Sequence, residues 1–581
     1  MAEAVTAEAG GVSGEGHWGR LAAITVAACT LGWILTLRNE FVFDDFAYVV
    51  SNPWIRDWRN LPRLLFSMDG NSYNPDVPLW RPLRNLHYLI DYTIAGLRPW
   101  WYHAMNVLWH GATVAGLFVL LKRLGLAPIG VVAACLFFGL HPVQAESVAW
   151  VKERDGLMST AFLFWALVLT LERGWGSAAG ALACVAGALL SKENTVVFLP
   201  LAVVALWVDG RWPAARRDVV VLVLAGLLTV LFLVARHAVM GQTSQVAQPI
   251  GGTMAATLWG MGAIFLRYIQ LVVLPVDMQL FYHHLRPQQE TLLAAVGHLS
   301  ILMLLGAGLW LAWRRHLAGF AILLYLIALF PYSNVVPMMQ WMAVRFLYVS
   351  LAGAAALVGL AVVHLQRSAA GRWAWPVVGV VGLVLLASAA ERSLVWESQL
   401  TVWRDSYLAN PENEMVAISY ADALVTANLY EEAASVMPAG ERFEGPRRLR
   451  SEVAWKVRLM LLNHEGRLEE ASRVAEEAVG MFPQFAELQN IQAFVLMRRG
   501  MLAEAAAVWE AMLLKHPFHI SGRQNLARAY EDLGRREEAN RQRELLRRLN
   551  SVPRSEWGRV LREAGALEPG PSSSPGASSA P

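Results

Sequence analysis

The chain has 581 residues, of which 56% are hydrophobic and only 16% charged, with a mean hydropathy of +0.38. A soluble domain carries about 25% charged residues, so a purely soluble protein is excluded. The 49 Lys and Arg against 46 Asp and Glu leave a net charge of +3, too little for a basic field that would attract nucleic acid. Three cysteines, Cys29, Cys135 and Cys184, lie in apolar runs, which excludes a disulfide framework or a cysteine-based zinc site. In chain order, residues 1–20 are polar and rich in Gly and Ala, and read as a cytoplasmic tail. Leu21 to Leu37 is apolar without an Ala-x-Ala cleavage site, the pattern of a retained signal anchor. Further apolar segments lie near 102–121, 126–141, 156–171, 177–190, 195–208, 218–236, 254–274, 293–313, 317–332, 342–365 and 373–390. As one helix, 177–208 would be about 48 Å long and would hold Lys192 and Glu193 in mid-bilayer, so it reads as two short helices with a turn. Lys122, Arg123, Arg173, Arg211, Arg216 and Arg217 then all fall on the cytoplasmic side. The segment 254–274 carries Arg267 and Gln270; placing it at the interface, or as a re-entrant helix, keeps Arg314, Arg315, Arg367 and Arg372 inside. The result is an all-α polytopic membrane protein with about eleven spans in residues 21–392, an external loop at 39–101 and a C-terminal domain on the outer side.

That last domain, residues 397–550, repeats itself. Ala471, Ala505 and Ala539 are 34 residues apart, as are Gly466, Gly500 and Gly534, while Pro483 and Pro517 keep the same step. A related Tyr430-Glu431-Glu432-Ala433 opens a first unit four residues longer. A 34-residue period is that of the tetratricopeptide repeat, two antiparallel helices per unit stacked into a solenoid with a concave surface for a peptide or protein. Residues 567–581, rich in Pro, Gly and Ser, read as a disordered tail.

With this topology the polar clusters gather on the outer face. Asp44-Asp45 directly follows the first span, and two crowded carboxylates raise one another's pKa, which suits a general base; they could equally share a metal or hydrogen-bond donors. The next outer loop, His141 to Asp155, holds Glu146, Lys152, Glu153 and Arg154. Lys192-Glu193 sits in the dip between the short helices, and Arg345 opens the span near 342–365. Cations and carboxylates on one face suit an anionic phosphate head group and a proton-accepting base, against the plainer alternative of salt bridges holding helix ends. Trp54, Trp58, Trp80, Trp100 and Trp101 fit an interfacial aromatic belt. No Gly-rich strand-to-helix phosphate loop is visible, which points to a lipid-linked donor.

Several motifs carry a resemblance. Phe43-Asp44-Asp45-Phe46-Ala47-Tyr48, Trp80-Arg81-Pro82-Leu83, the stretch Tyr102 to His110, His141-Pro142 through Trp150 with Arg154-Asp155, and Ser191-Lys192 resemble the transmembrane and tetratricopeptide-repeat O-mannosyltransferases and their bacterial relatives. The likeness spans about residues 20–550 and implies a GT-C glycosyltransferase that uses a polyprenyl-phosphate-linked sugar. It implies that Asp44 is the base that deprotonates the acceptor hydroxyl for inverting attack and that Asp45 orients it. His141, Glu146, Arg154 and Asp155 then fall in the donor-binding loop, with Asp45 and Glu146 as candidate ligands should a divalent metal take part. Lys192 and Arg345 become phosphate clamps. Met342-Ala343-Val344-Arg345-Phe346-Leu347-Tyr348 departs from the Ala-Asp-Arg-Tyr of many bacterial relatives, and Glu193 receives no role.

The expectation is a membrane enzyme that moves a sugar from a polyprenyl phosphate to a hydroxyl, Ser or Thr of a protein, with the repeats engaging the acceptor. The Ala/Gly/Leu/Arg-rich usage places it in a bacterial inner membrane with a periplasmic site, or in the endoplasmic reticulum if the source is eukaryotic. Two rivals are a glycosyltransferase acting on a cell-surface glycan and a non-catalytic membrane scaffold whose repeats assemble an envelope complex. A transporter fits less well, because the charges gather at one face and not at the midplane between inverted repeats.

Overall fold

The computed structural model describes residues 13–68, 79–212, 215–241, 248–282, 285–338, 340–437, 451–517, 519–551 and 557–566. The tail 567–581 and residues 1–12 of the amino-terminal tail lie outside them. Among the described residues every regular element is helical. Two compact units divide the chain, Met1–Ala409 and Asn410–Pro581. Residues 397–409, counted above with the repeats, belong to the first unit, where Trp403 meets Phe43 with ring centroids 5.5 Å apart.

The first unit is an integral membrane body. Among the described residues seven helices are long and apolar enough to cross a bilayer, or eight if Pro128–Leu140 and Pro142–Ala149, bent by 47°, form one span. Trp175–Ser191, Glu193–Val208 and Leu317–Tyr332 are shorter apolar helices. Proline opens the helices at Pro82, Pro99 and Pro128, where its missing N–H costs nothing. The run 177–208 is broken as its charges demand: the backbone is extended at Lys192, with φ −155° and ψ 134°.

The helix Met254–Val273 meets the length and apolarity of a span, which the sequence reading did not grant it. Val272 O accepts from His141 Nε2 at 3.1 Å, the Tyr268 hydroxyl accepts from Ala343 N at 3.4 Å, and Arg267 pairs with Glu290 at 3.2 Å. These partners sit where Pro128–Leu140 ends, before Leu347–Arg367 and before Thr291–Trp313 begin. Towards its other end Gly262 packs against Ala294 and Gly297 of Thr291–Trp313, and Trp259 O accepts from His298 Nε2 at 3.1 Å, so these two helices run side by side.

Without a hydrophobic force between them, membrane helices approach through small residues. A Cβ added at Gly262 would lie 2.2 Å from the Ala294 carbonyl oxygen, a backbone atom that cannot swing aside. Gly262→Val is therefore expected to part Met254–Val273 from Thr291–Trp313 and to destabilise the purified protein by about 1–3 kcal/mol. A thermal unfolding scan in detergent reads this; an unchanged midpoint would contradict the close approach.

In the second unit the helices pair as hairpins. Glu452–His464, Ala486–Arg498 and Ile520–Asp532 start 34 residues apart (452, 486, 520), and so do their partners Leu468–Met481, Leu502–Lys515 and Arg536–Ser551 (468, 502, 536). Gly466, Gly500 and Gly534 turn each hairpin at φ +75°, +81° and +74°. In the longer first unit, Glu414–Thr426 and Tyr430–Val436, Asn428 takes that place at φ +61°, because asparagine tolerates the left-handed region. Ala433, Ala471, Ala505 and Ala539 are all buried where the paired helices touch.

Candidate active site

The helix Ser13–Leu31 leads through a 3-10 helix, Ile34–Arg38, into a tight turn. Asp45 N donates to Val42 O at 3.0 Å, which forces Phe43 into the left-handed region at φ +48°. A bulky residue there is strained and persists only when its surroundings hold it. Here three rings do so: Trp150, Phe281 and Trp403 lie 5.6, 5.6 and 5.5 Å from the Phe43 ring. The consequence is a fixed direction for the two carboxylates that follow.

Asp45 and Asp44 have different surroundings. Asp45 is fully buried and pins the turn: its oxygens accept from Val42 N at 3.1 Å and Lys152 N at 2.8 Å. Burial pushes its carboxyl up to about 8, against the pull of those two backbone donors. Asp44 is partly exposed, and its carboxylate makes no hydrogen bond or ion pair among the described residues. Burial raises its pKa above the ordinary carboxylate value, with the nearby charges of Lys152 and Arg345 opposing the rise.

Facing this turn is a buried cluster of charges. Glu153 is its centre, accepting from Lys152 Nζ at 2.8 Å and Lys192 Nζ at 2.9 Å, with Arg345 Nε at 3.5 Å. Glu146 takes both the backbone N–H of Arg345, at 2.9 Å, and its guanidinium. Asp155 is held by Arg81, by Arg84 at 3.2 Å and by Lys192 at 3.4 Å, while Arg81 also reaches Glu193 at 3.3 Å. Of the residues expected from sequence, the cluster thus brings together Glu146, Asp155, Lys192 and Arg345. Arg154 points elsewhere: it pairs with Asp91 at 2.6 Å, and its other donors go to Asn106, His87 and the carbonyl of Tyr102. His141 is spent on structure, donating through Nε2 to Val272 O and accepting at Nδ1 from Val143 N at 3.4 Å.

Glu153, Lys152, Arg81 and Arg84 carry no role in the sequence reading. Arg81 and Arg84 were legible as a pair only after Pro82 is seen to open a helix, which sets them three residues apart on one face. Among the described residues no group of three His, Cys, Asp or Glu side chains could hold a metal ion. The two carboxylates suggested as ligands do not fit one: both oxygens of Asp45 already accept from backbone N–H groups, and both of Glu146 accept from Arg345.

Next to the cluster lies an apolar cavity of about 490 Å³, lined by Val197, Pro200, Phe265, Tyr268, Leu329 and Tyr332 among others. Tyr332 joins the two. Its hydroxyl accepts from Asn194 Nδ2 at 2.9 Å, two residues past Lys192, and its ring stacks on Phe346, adjacent to Arg345, at 4.0 Å. An anionic head beside the cations and an apolar tail in the cavity would be served together.

The class these features define is an all-α polytopic membrane protein with a charged, largely buried site at one end of its bundle. No family model matches the chain. It is similar to the protein O-mannosyl-transferases, as its motifs predict. It is 30% identical over 191 residues to protein O-mannosyl-transferase Tmtc1 of Drosophila melanogaster, covering 30% of this chain and 22% of that one. It is 28% identical over 190 residues to human protein O-mannosyl-transferase TMTC2, again covering 30% and 22%. The chain thus spans about a fifth of the length of these relatives. A crystal structure of the Archaeoglobus fulgidus oligosaccharyltransferase aligns over 74% of this chain and 61% of its own, with 13% identity and a TM-score of 0.33.

Proposed function

We propose that this chain is a membrane glycosyltransferase that moves one sugar, mannose by its relatives' names, from a polyprenyl phosphate to a Ser or Thr hydroxyl of a protein. The observation that carries it is the unpaired Asp44 carboxylate, aimed by a strained turn and set beside a buried cationic cluster with an apolar cavity behind it. The acceptor hydroxyl gives its proton to Asp44 as its oxygen bonds to the anomeric carbon from the face opposite the phosphate. The bond from that carbon to the phosphate oxygen breaks, both its electrons leave with the polyprenyl phosphate, and the anomeric configuration inverts. Positioning and stabilisation of phosphate charge do most of the work in such a displacement.

Arg81, Arg84, Lys152, Lys192 and Arg345 engage Glu146, Glu153, Asp155 and Glu193. The donor's phosphate lies beside these cations, and the polyprenyl chain enters the apolar cavity. We place the site on the external face, in a bacterial inner membrane or its endoplasmic-reticulum counterpart, by the distribution of Lys and Arg in the loops. The hairpins between residues 414 and 551, read as tetratricopeptide repeats, recruit the protein acceptor.

The test is transfer by the purified protein in liposomes, from radiolabelled polyprenyl-phosphate mannose to a pool of Ser- and Thr-containing peptides, with products read by mass spectrometry. Lys192→Met is expected to raise the donor KM at least about tenfold, the loss of one buried charge-assisted contact. A peptide pool that gains no hexose from the wild-type protein would overturn the reading.

A further inference from the structure

The apolar cavity beside the charged cluster is lined by two phenols whose own protons are unspent. They are Tyr268 of Met254–Val273 and Tyr332, which ends the short turn Phe330–Tyr332. The Tyr268 hydroxyl accepts from Ala343 N at 3.4 Å, a group that can only donate, and the Tyr332 hydroxyl accepts from Asn194 Nδ2 at 2.9 Å. Among the described residues neither O–H has an acceptor of its own. A donor kept from water with nothing to receive its proton is costly, so two of them in one cavity call for an acceptor.

Both phenols stand at the edge of the cluster. Ala343 is two residues before Arg345, and Asn194 is two residues after Lys192, so each accepted bond ties a phenol to a segment that carries one of the cations. The field of Arg345 acts on the Tyr268 hydroxyl and that of Lys192 on the hydroxyl of Tyr332. These two cations are already engaged with Glu146 and Glu153. Neutral donors beside them add direction without adding charge.

The far side of the cavity reaches the outside of the bundle. Phe330 and Leu305 of the same lining are 62% and 39% exposed, whereas Tyr332 is 9% and Tyr268 2% exposed. At about 490 Å³ the cavity holds a segment of chain, far more than a single water. An apolar chain that enters past Phe330 therefore has its inner end at the two phenols.

We propose that Tyr268 and Tyr332 form a collar that donates two hydrogen bonds to the phosphate of the lipid-linked donor, whose polyprenyl chain runs outward past Phe330. The inference rests on the glycosyl-transfer reading above and names the neutral groups that hold its donor.

The experiment uses the purified full chain and measures binding of a fluorescent polyprenyl phosphate, without sugar, by anisotropy in detergent, beside transfer kinetics in liposomes. Tyr268→Phe and Tyr332→Phe each remove one O–H and keep the ring, including the stack of Tyr332 on Phe346 at 4.0 Å. Each is expected to weaken binding about tenfold to a hundredfold, the range of one hydrogen bond to a charged group, and to raise the donor KM in parallel while the peptide KM stays near that of the wild type. A merely structural role would not separate donor from peptide in this way. The two variants lie on different elements, so misfolding of one, seen as a lowered melting midpoint, leaves the other decisive. Inorganic phosphate at the same concentration is expected to leave the probe bound; displacement by it would assign the collar to a free anion and overturn the lipid-linked assignment. A folded variant that binds within twofold of wild type removes its phenol from the collar, and both within twofold overturn the inference and leave the hydroxyls to ordered water. Absence of transfer by the wild-type protein would instead overturn the glycosyl-transfer reading, and this one with it.

Discussion

Asp44→Asn is expected to lower sugar transfer about 10²–10⁴-fold, the contribution of a positioned general base, while leaving the melting midpoint of the protein where it was. The two halves of that expectation have separate causes. The carboxylate makes no hydrogen bond or ion pair among the described residues, so an isosteric amide removes proton affinity and breaks nothing. Asp45 is the contrast: Asp45→Ala strips acceptors from the buried N–H groups of Val42 and Lys152, at about 1–3 kcal/mol for each donor left unpaired, and releases the turn that aims Asp44. Burial raises the Asp44 pKa, so the acid limb of the pH–rate profile should lie above the value near 3.9 of a free aspartate, and rate should fall as pH drops through it. Reconstituted transfer across pH, beside a thermal scan of each variant, reads all of this. Wild-type rates from Asp44→Asn would remove Asp44 as the base.

Much of this arrangement was legible in the sequence because charge is costly in a bilayer, so each polar residue near a span end stands out. The break at Lys192, the repeat hairpins and the grouping of Glu146, Asp155, Lys192 and Arg345 all follow from that cost and from periodicity. Three-dimensional pairing was not legible. Arg154 and Asp155 are consecutive, yet the helix they open turns one towards Asp91 and the other towards Arg81. Glu153 sits in the same polar loop, and nothing in its spacing marks it as the point where Lys152, Lys192 and Arg345 converge. The helix Met254–Val273 was hard for a different reason: length and apolarity describe a span and an interfacial helix alike.

Glu153→Ala should be the most destabilising single change in the cluster. Its side chain is 2% exposed and compensates three cations, of which Lys192 and Arg345 are 10% and 11% exposed. Removing one partner of a buried ion pair costs about 3–5 kcal/mol, because the remaining charges stay in a poor solvent. Little or no folded Glu153→Ala protein is therefore expected on size exclusion in detergent. Adding Lys192→Met, which withdraws one uncompensated cation, should recover part of the loss, a coupling that a double-mutant cycle measures directly. Glu193→Ala should cost under about 1 kcal/mol, since that carboxylate is 35% exposed and meets Arg81 at 3.3 Å with solvent at hand. The ranking bears on the chemistry as well as on the fold. Cations held by a buried carboxylate are already desolvated and oriented, so a phosphate arriving beside them meets a field that needs no further reorganisation. A Glu153→Ala protein as stable as the wild type would mean that water reaches these cations freely, and the low-dielectric setting on which phosphate capture depends would be lost with it.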